Sequence, residues 1–154
     1  MKAVLTKKEF SKRWMKLLEE LKRVNKSPRA SIMLCCCYIE WLVNFLLEKC
    51  CKEGKFLVEE DFVPLQAKIL LLYEVGVIPS DLYHDVKLLL KERNRAVHRV
   101  RYQFVHSIKK ELVYPKKATR HDVEELRQSK VPWVCISMFL VNEIANIVFE
   151  KYFR

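Results

Sequence analysis

Apolar side chains recur at three- and four-residue steps along most of this chain, the period of helices with one face turned inward. Between positions 7 and 24, Phe10, Trp14, Leu17, Leu18, Leu21 and Val24 fall on one face, while lysine, arginine and glutamate fill the other. Just ahead, Thr6-Lys7-Lys8-Glu9 has the form of a capping box, with threonine accepting from the backbone and Glu9 reaching back. The pattern predicts an amphipathic first helix from Lys7 to Val24.

A second helix is predicted from Ser27-Pro28, serine as N-cap and proline in the first turn. From Ala30 to Leu47 it is apolar almost all round, interrupted by Glu40 and Asn44. Its length approaches that of a membrane span. Glu40 would then lie near the bilayer centre, where a carboxylate is costly. Its neighbours are amphipathic, as helices wrapped around it should be. It is therefore expected to be the central helix of a soluble bundle with no membrane partner, a membrane segment being the lesser alternative. Gly54 is expected to end this segment.

A third helix is predicted over 61–75, with Asp61 near its start, Pro64 in its first turn and Gly76 as its stop. Leu65, Ile69, Leu72 and Tyr73 face the core. Ser80 caps a fourth, on which Leu82, Val86, Leu89 and Arg93 share a face. The chain is expected to turn near Asn94, letting His98 fold back towards Arg93. Residues 100–105 suit a helix or an extended run, and Tyr114-Pro115-Lys116-Lys117 reads as a loop. A short helix is expected over Arg120–Gln128. A last one is expected with Pro132 in its first turn and Val134, Met138, Val141, Ile144, Ala145, Val148 and Phe149 on its apolar face. Its apolar stretch Val131–Val141 exceeds what one small bundle needs and suits a subunit interface.

Composition agrees with these elements. Only 2 glycines and 5 prolines in 154 residues argue against a many-stranded fold and for long helices with short connections. The expected architecture is all-α: a single domain over 1–154, a bundle of about five to six helices around a long central apolar helix. The first residues lack the apolar core of a signal peptide. The six cysteines, at 35, 36, 37, 50, 51 and 135, include adjacent pairs and no C-x-x-C spacing. They read as small core hydrophobes in a reducing, cytoplasmic setting, without a zinc site.

Charge changes the picture more. Of a net +10, nearly the whole excess falls in residues 87–120, which hold eleven basic side chains against two acids, Glu92 and Glu111. A solvated face is the plain reading of such a run. Inside it, however, stands Arg93-Asn94-Arg95-Ala96-Val97-His98. Arginine offers a planar fork of donors that fits phosphate oxygens, and histidine both takes and gives a proton near neutrality. Asparagine tolerates unusual backbone angles and can end a helix between them. The same residues also suit an ordinary helix terminus, with arginine complementing the last carbonyls. Clustering of positive charge beside this set favours a polyanionic partner, nucleic acid first. Its candidate binding residues are Lys91, Arg95, Arg99, Arg101, Lys109, Lys110, Lys116, Lys117 and Arg120. Tyr102 and Phe104 could stack on bases but are more simply core. Glu40, on an apolar helix, needs a partner. A basic residue of the motif segment is the candidate, giving Glu40 an orienting role; the alternative is that Glu40 reaches the surface. His84, His106 and His121 share no metal-ligand spacing, and two glycines cannot make a phosphate-cradling loop.

Arg93-Asn94-x-x-x-His98 resembles the Arg-x4-6-His motif of HEPN domains, all-α domains of which many are metal-independent ribonucleases. Ala30, Ile39-Glu40-x-Leu42 and Leu46-Leu47 resemble the long second helix of the small single-domain branch that includes mannitol-repressor-like proteins. The resemblance implies an endoribonuclease that needs no metal or cofactor and uses the RNA's own 2′-hydroxyl as nucleophile. His98 would act as general acid or base, Arg93 would stabilise charge on the phosphoryl oxygens, and Asn94 would hold the turn. It also implies a homodimer with both motifs lining one cleft, and a toxin or defence role, sometimes beside a nucleotidyltransferase-type antitoxin. Two other readings stand: a non-catalytic dimeric HEPN module docking a nucleotide, nucleic acid or protein, and a helical interaction protein whose motif is coincidental.

Overall fold

The computed structural model describes residues 5–24, 27–60, 63–98, 105–107 and 130–153. Among these lie six helices: α1 (Lys7–Val24), α2 (Pro28–Cys50), α3 (Gly54–Glu59), α4 (Leu65–Glu74), α5 (Ser80–His98) and α6 (Trp133–Tyr152). Two short strands, β1 (Val105–Ser107) and β2 (Lys130–Pro132), pair antiparallel with His106 opposite Val131. The architecture is an all-α bundle carrying one small ribbon.

Helix α2 is the axis of this bundle. It packs against α1, α3, α4, α5 and α6, and Ile32, Ile39, Leu42, Val43, Leu46 and Leu47 are completely buried. An all-round apolar sequence is what an enclosed helix requires. Each such side chain taken from water contributes about 1.5–3 kcal/mol. Residues 29–50 are long and apolar enough to cross a membrane, and half of the most apolar stretch is buried inside this fold.

Local sequence signals set most of the boundaries. Glu9 accepts from the backbone N–H of Thr6 (2.8 Å), and Thr6 Oγ1 accepts from that of Glu9 (3.2 Å), closing the capping box. Ser27 Oγ accepts from Ala30 N–H at 3.2 Å and starts α2. At the end of α4, Gly76 adopts φ +75°. The N–H groups of Gly76 and Val77 there return to the carbonyls of Tyr73 and Leu72 (3.0 and 2.9 Å), a left-handed termination that glycine adopts without strain.

Four expectations change. Pro132 is not in the first turn of the last helix but ends β2, and α6 begins at Trp133. Gly54 does not stop the chain's helical course; it opens α3, where a Cβ would lie 1.9 Å from the Leu47 carbonyl oxygen, so its bareness lets α3 pack on α2. The third predicted helix begins only at Leu65, with Pro64 as its N-cap. And α5 runs unbroken through Asn94 to His98, so no turn separates Arg93 from the histidine. Leu89, Leu90 and Ala96 are all buried, and anchoring on both sides of Asn94 outweighs its weak preference for ending a helix. Segment 105–107 is extended; the predicted loop at 114–117 and helix at 120–128 lie outside the described residues.

Candidate functional site

Helix α5 carries the motif because its buried stripe, Leu82, Val86 and Leu89, seats it against the core. Arg93 continues that stripe at the core-side end and is half-buried. Its charge is felt at the Cys36 thiol of α2, which burial pushes up to about 12 against the partial pull of the guanidinium. Arg93 Nε and Nη2 both donate to Asn94 Oδ1, at 3.3 and 3.0 Å. His98 is exposed in the last turn.

Five residues along a helix correspond to about 140° of rotation and about 7.5 Å of rise. Arg93 and His98 therefore leave α5 in different directions, and no hydrogen bond joins them among the described residues. Asn94 and His98, four apart, lie on one face. The bonds to Asn94 swing the Arg93 guanidinium towards that face, so the asparagine links the two instead of making a turn.

Beside this face lies a cleft of about 480 Å³ between the start of α4 and the flank of α5, lined by Gln66, His84, Lys87, Lys91, Arg93 and Asn94 among others. Its floor is apolar, from Leu65, Leu88 and Leu90. Lys87, Lys91 and His84 are exposed, leaving their cationic or proton-carrying ends accessible to solvent. The first turn of α4, which has no side-chain cap, faces the same space and adds the positive end of a helix dipole. His98 does not line the cleft; it sits one turn beyond Asn94.

Several predicted site residues fare differently. Lys91 is on the cleft, as the motif's neighbour should be. Arg95 donates to Glu92 Oε1 at 2.6 Å, so phosphate would have to compete with a carboxylate for it. Arg99, Arg101, Lys109, Lys110, Lys116, Lys117 and Arg120 lie outside the described residues. Among the described residues Glu40 pairs not with a basic residue of the motif but with Lys68 of α4, at 3.8 Å. The pair is lopsided, the Glu40 side chain 46% exposed and that of Lys68 only 5%. Glu40 thus reaches the surface and supplies a counter-charge to a buried ammonium.

His84, Lys87 and Gln66 were not singled out as site residues from the sequence. On α5 the signal was present, since His84, Lys87, Lys91, Asn94 and His98 follow a three-four spacing along one stripe. Gln66 becomes visible only when α4 is placed against α5. Among the described residues, no three His, Cys, Asp or Glu side chains gather as metal ligands would.

Comparison of the chain with protein-family models, curated proteins and solved structures finds no match.

Proposed function

We propose that this protein is an endoribonuclease of HEPN type that acts inside the cell without a metal. The observation that carries the reading is the pairing of Arg93 with Asn94 on the rim of a basic cleft, with His98 one turn further along the same face. In this reading the RNA 2′-hydroxyl attacks the adjacent phosphorus and the bond to the 5′-oxygen breaks, leaving a 2′,3′-cyclic phosphate and a 5′-hydroxyl. His98 moves a proton at the attacking or the leaving oxygen. The guanidinium of Arg93, held by Asn94, offers its remaining N–H groups to the phosphoryl oxygens as charge grows on them. The angle between Arg93 and His98 on one helix favours a two-fold dimer, in which a second copy of the motif completes the cleft and one histidine gives a proton while the other takes it. Free thiols at all six cysteines suit a reducing compartment.

A toxin or defence effector, with a nucleotidyltransferase-type antitoxin, is the biological setting this reading carries. The unbroken course of α5 favours a second reading, a binding module in which Arg95 and His98 complement the last turn of the helix and the cleft docks a nucleotide, nucleic acid or protein partner. RNA cleavage in the presence of a chelator, with product ends identified, separates the two. The enzyme reading expects cyclic phosphate ends and undiminished activity. Activity abolished by chelation and restored by magnesium, or absent throughout, contradicts it.

A further inference from the structure

The cleft on the flank of α5 is larger than a single phosphate needs and lies away from His98. Lys87 and Lys91 are one helical turn apart, and the midpoint between them is about 13 Å along the axis from His98. A group held there is not the one undergoing proton transfer. The walls also differ in kind. Cations stand on α5, the amides of Gln66 and Asn94 face the same space, and the half-buried Leu88 offers apolar surface beside the buried Leu65. A bare inorganic anion would use only the cations. A nucleotide uses all three: its phosphate takes the ammonium groups, its base lies against the apolar side chains, and the amides can bond to its polar edges.

We propose that this cleft is a subsite for one nucleotide of single-stranded RNA flanking the bond that is cut, its phosphate on Lys87 and Lys91 and its base between Leu88 and Gln66. The proposal rests on the ribonuclease reading for its substrate, but binding tests it without any cleavage. His84, at the far end of the stripe, adds a donor where the strand leaves the cleft.

The experiment measures binding of a short, unstructured, fluorescein-labelled RNA to the full chain carrying His98→Ala, by anisotropy over a series of salt concentrations. Lys87→Glu reverses a charge on the α5 wall. Gln66→Glu places a carboxylate on the opposite wall, at an exposed position where folding tolerates it. Lys22→Glu, exposed on α1, makes the same reversal away from the cleft. The expected result is a Kd raised about tenfold or more by each cleft variant, at most about twofold by Lys22→Glu. The slope of log Kd against log salt should fall by about 0.7 in Lys87→Glu, one phosphate contact on a single strand. Equal weakening by all three variants, no weakening by the cleft variants, or no RNA binding overturns the proposal. Cleavage by the protein with His98 intact is scored separately. If binding follows the cleft and no cleavage occurs, the ribonuclease reading fails while the subsite stands. If RNA is cleaved and the cleft variants bind normally, the subsite alone fails.

Discussion

Arg93 donates twice to the side-chain oxygen of Asn94, its immediate neighbour on α5. Both residues lie within an uninterrupted helix, so the asparagine's contribution is to aim the guanidinium and not to shape the backbone.

Asn94→Ala is accordingly expected to leave stability unchanged or slightly raised. Asn94 is exposed, and alanine is the better helix former by about 0.5 kcal/mol. Activity should fall, since the Arg93 guanidinium loses its tether. Thermal melting run beside RNA cleavage checks both halves. A clear drop in melting temperature would restore the idea of an asparagine-dependent turn.

The Glu40–Lys68 pair predicts an asymmetry in stability and silence in activity. Lys68 is the buried member, and replacing it by an apolar residue of similar length leaves behind only Glu40, whose side chain is 46% exposed, so no unpaired charge stays buried. Lys68→Met should therefore be tolerated, whereas Glu40→Gln leaves the ammonium without its counter-charge and should destabilise by about 1 kcal/mol, the upper end for a pair with one member half in water. Denaturant unfolding measures the two. Neither change should alter cleavage, because neither side chain reaches the motif; a large loss of activity in Glu40→Gln with folding intact would return Glu40 to an orienting role.

The thiols give the stability of this fold a dependence on alkaline pH. Burial raises Cys35 to about 11 and Cys36 to about 12, whereas in the unfolded chain a thiol ionises near about 8.5. Below that pH both states keep the protons and the two cysteines contribute fully. Above it the unfolded chain releases protons that the folded chain retains, so stability falls as pH rises towards 11 and 12. Melting temperature followed from pH 8 upward should decline, and Cys36→Ala should make that decline shallower. In a native thiol titration near neutrality, exposed Cys37 and Cys135 should react before Cys35 and Cys36. A melting temperature flat to pH 11, or early reaction of Cys36, would contradict this burial.

Much of the fold was legible because it is written in local patterns. The stripe of Phe10, Leu17 and Leu21, the Thr6–Glu9 box, the Ser27 cap and the Gly76 stop each depend on residues within a turn or two of one another. The all-round apolar run of α2 likewise announces a helix with neighbours on every side. What escaped depends on contacts between elements. Gly54 looks like a terminator until the Leu47 carbonyl is seen beneath it. Lys68 shares a stripe with Leu65, Ile69 and Leu72, and a lysine there gives no sign that it stays buried. The cysteines divide by the side of the helix they occupy: Cys35 and Cys36 are core, while adjacent Cys37 is exposed. At the candidate site, Arg93 was placed at the core-side end of its helix by spacing alone. The cleft facing it was not, because α4 and α5 make it jointly, and nothing near position 84 or 87 names Gln66 as the opposite wall.

The catalytic assignment rests most heavily on His98, and the most direct measurement is the RNA cleavage rate of His98→Ala against wild type, in chelator, with folding and oligomeric state checked on the same samples. His98 is exposed at the end of α5, so its removal should leave the fold intact. As a general acid–base its loss should slow cleavage by about a hundred- to ten-thousand-fold while RNA affinity barely changes. A well-folded His98→Ala protein that cleaves RNA as fast as wild type would contradict the account and leave the binding-module reading in its place.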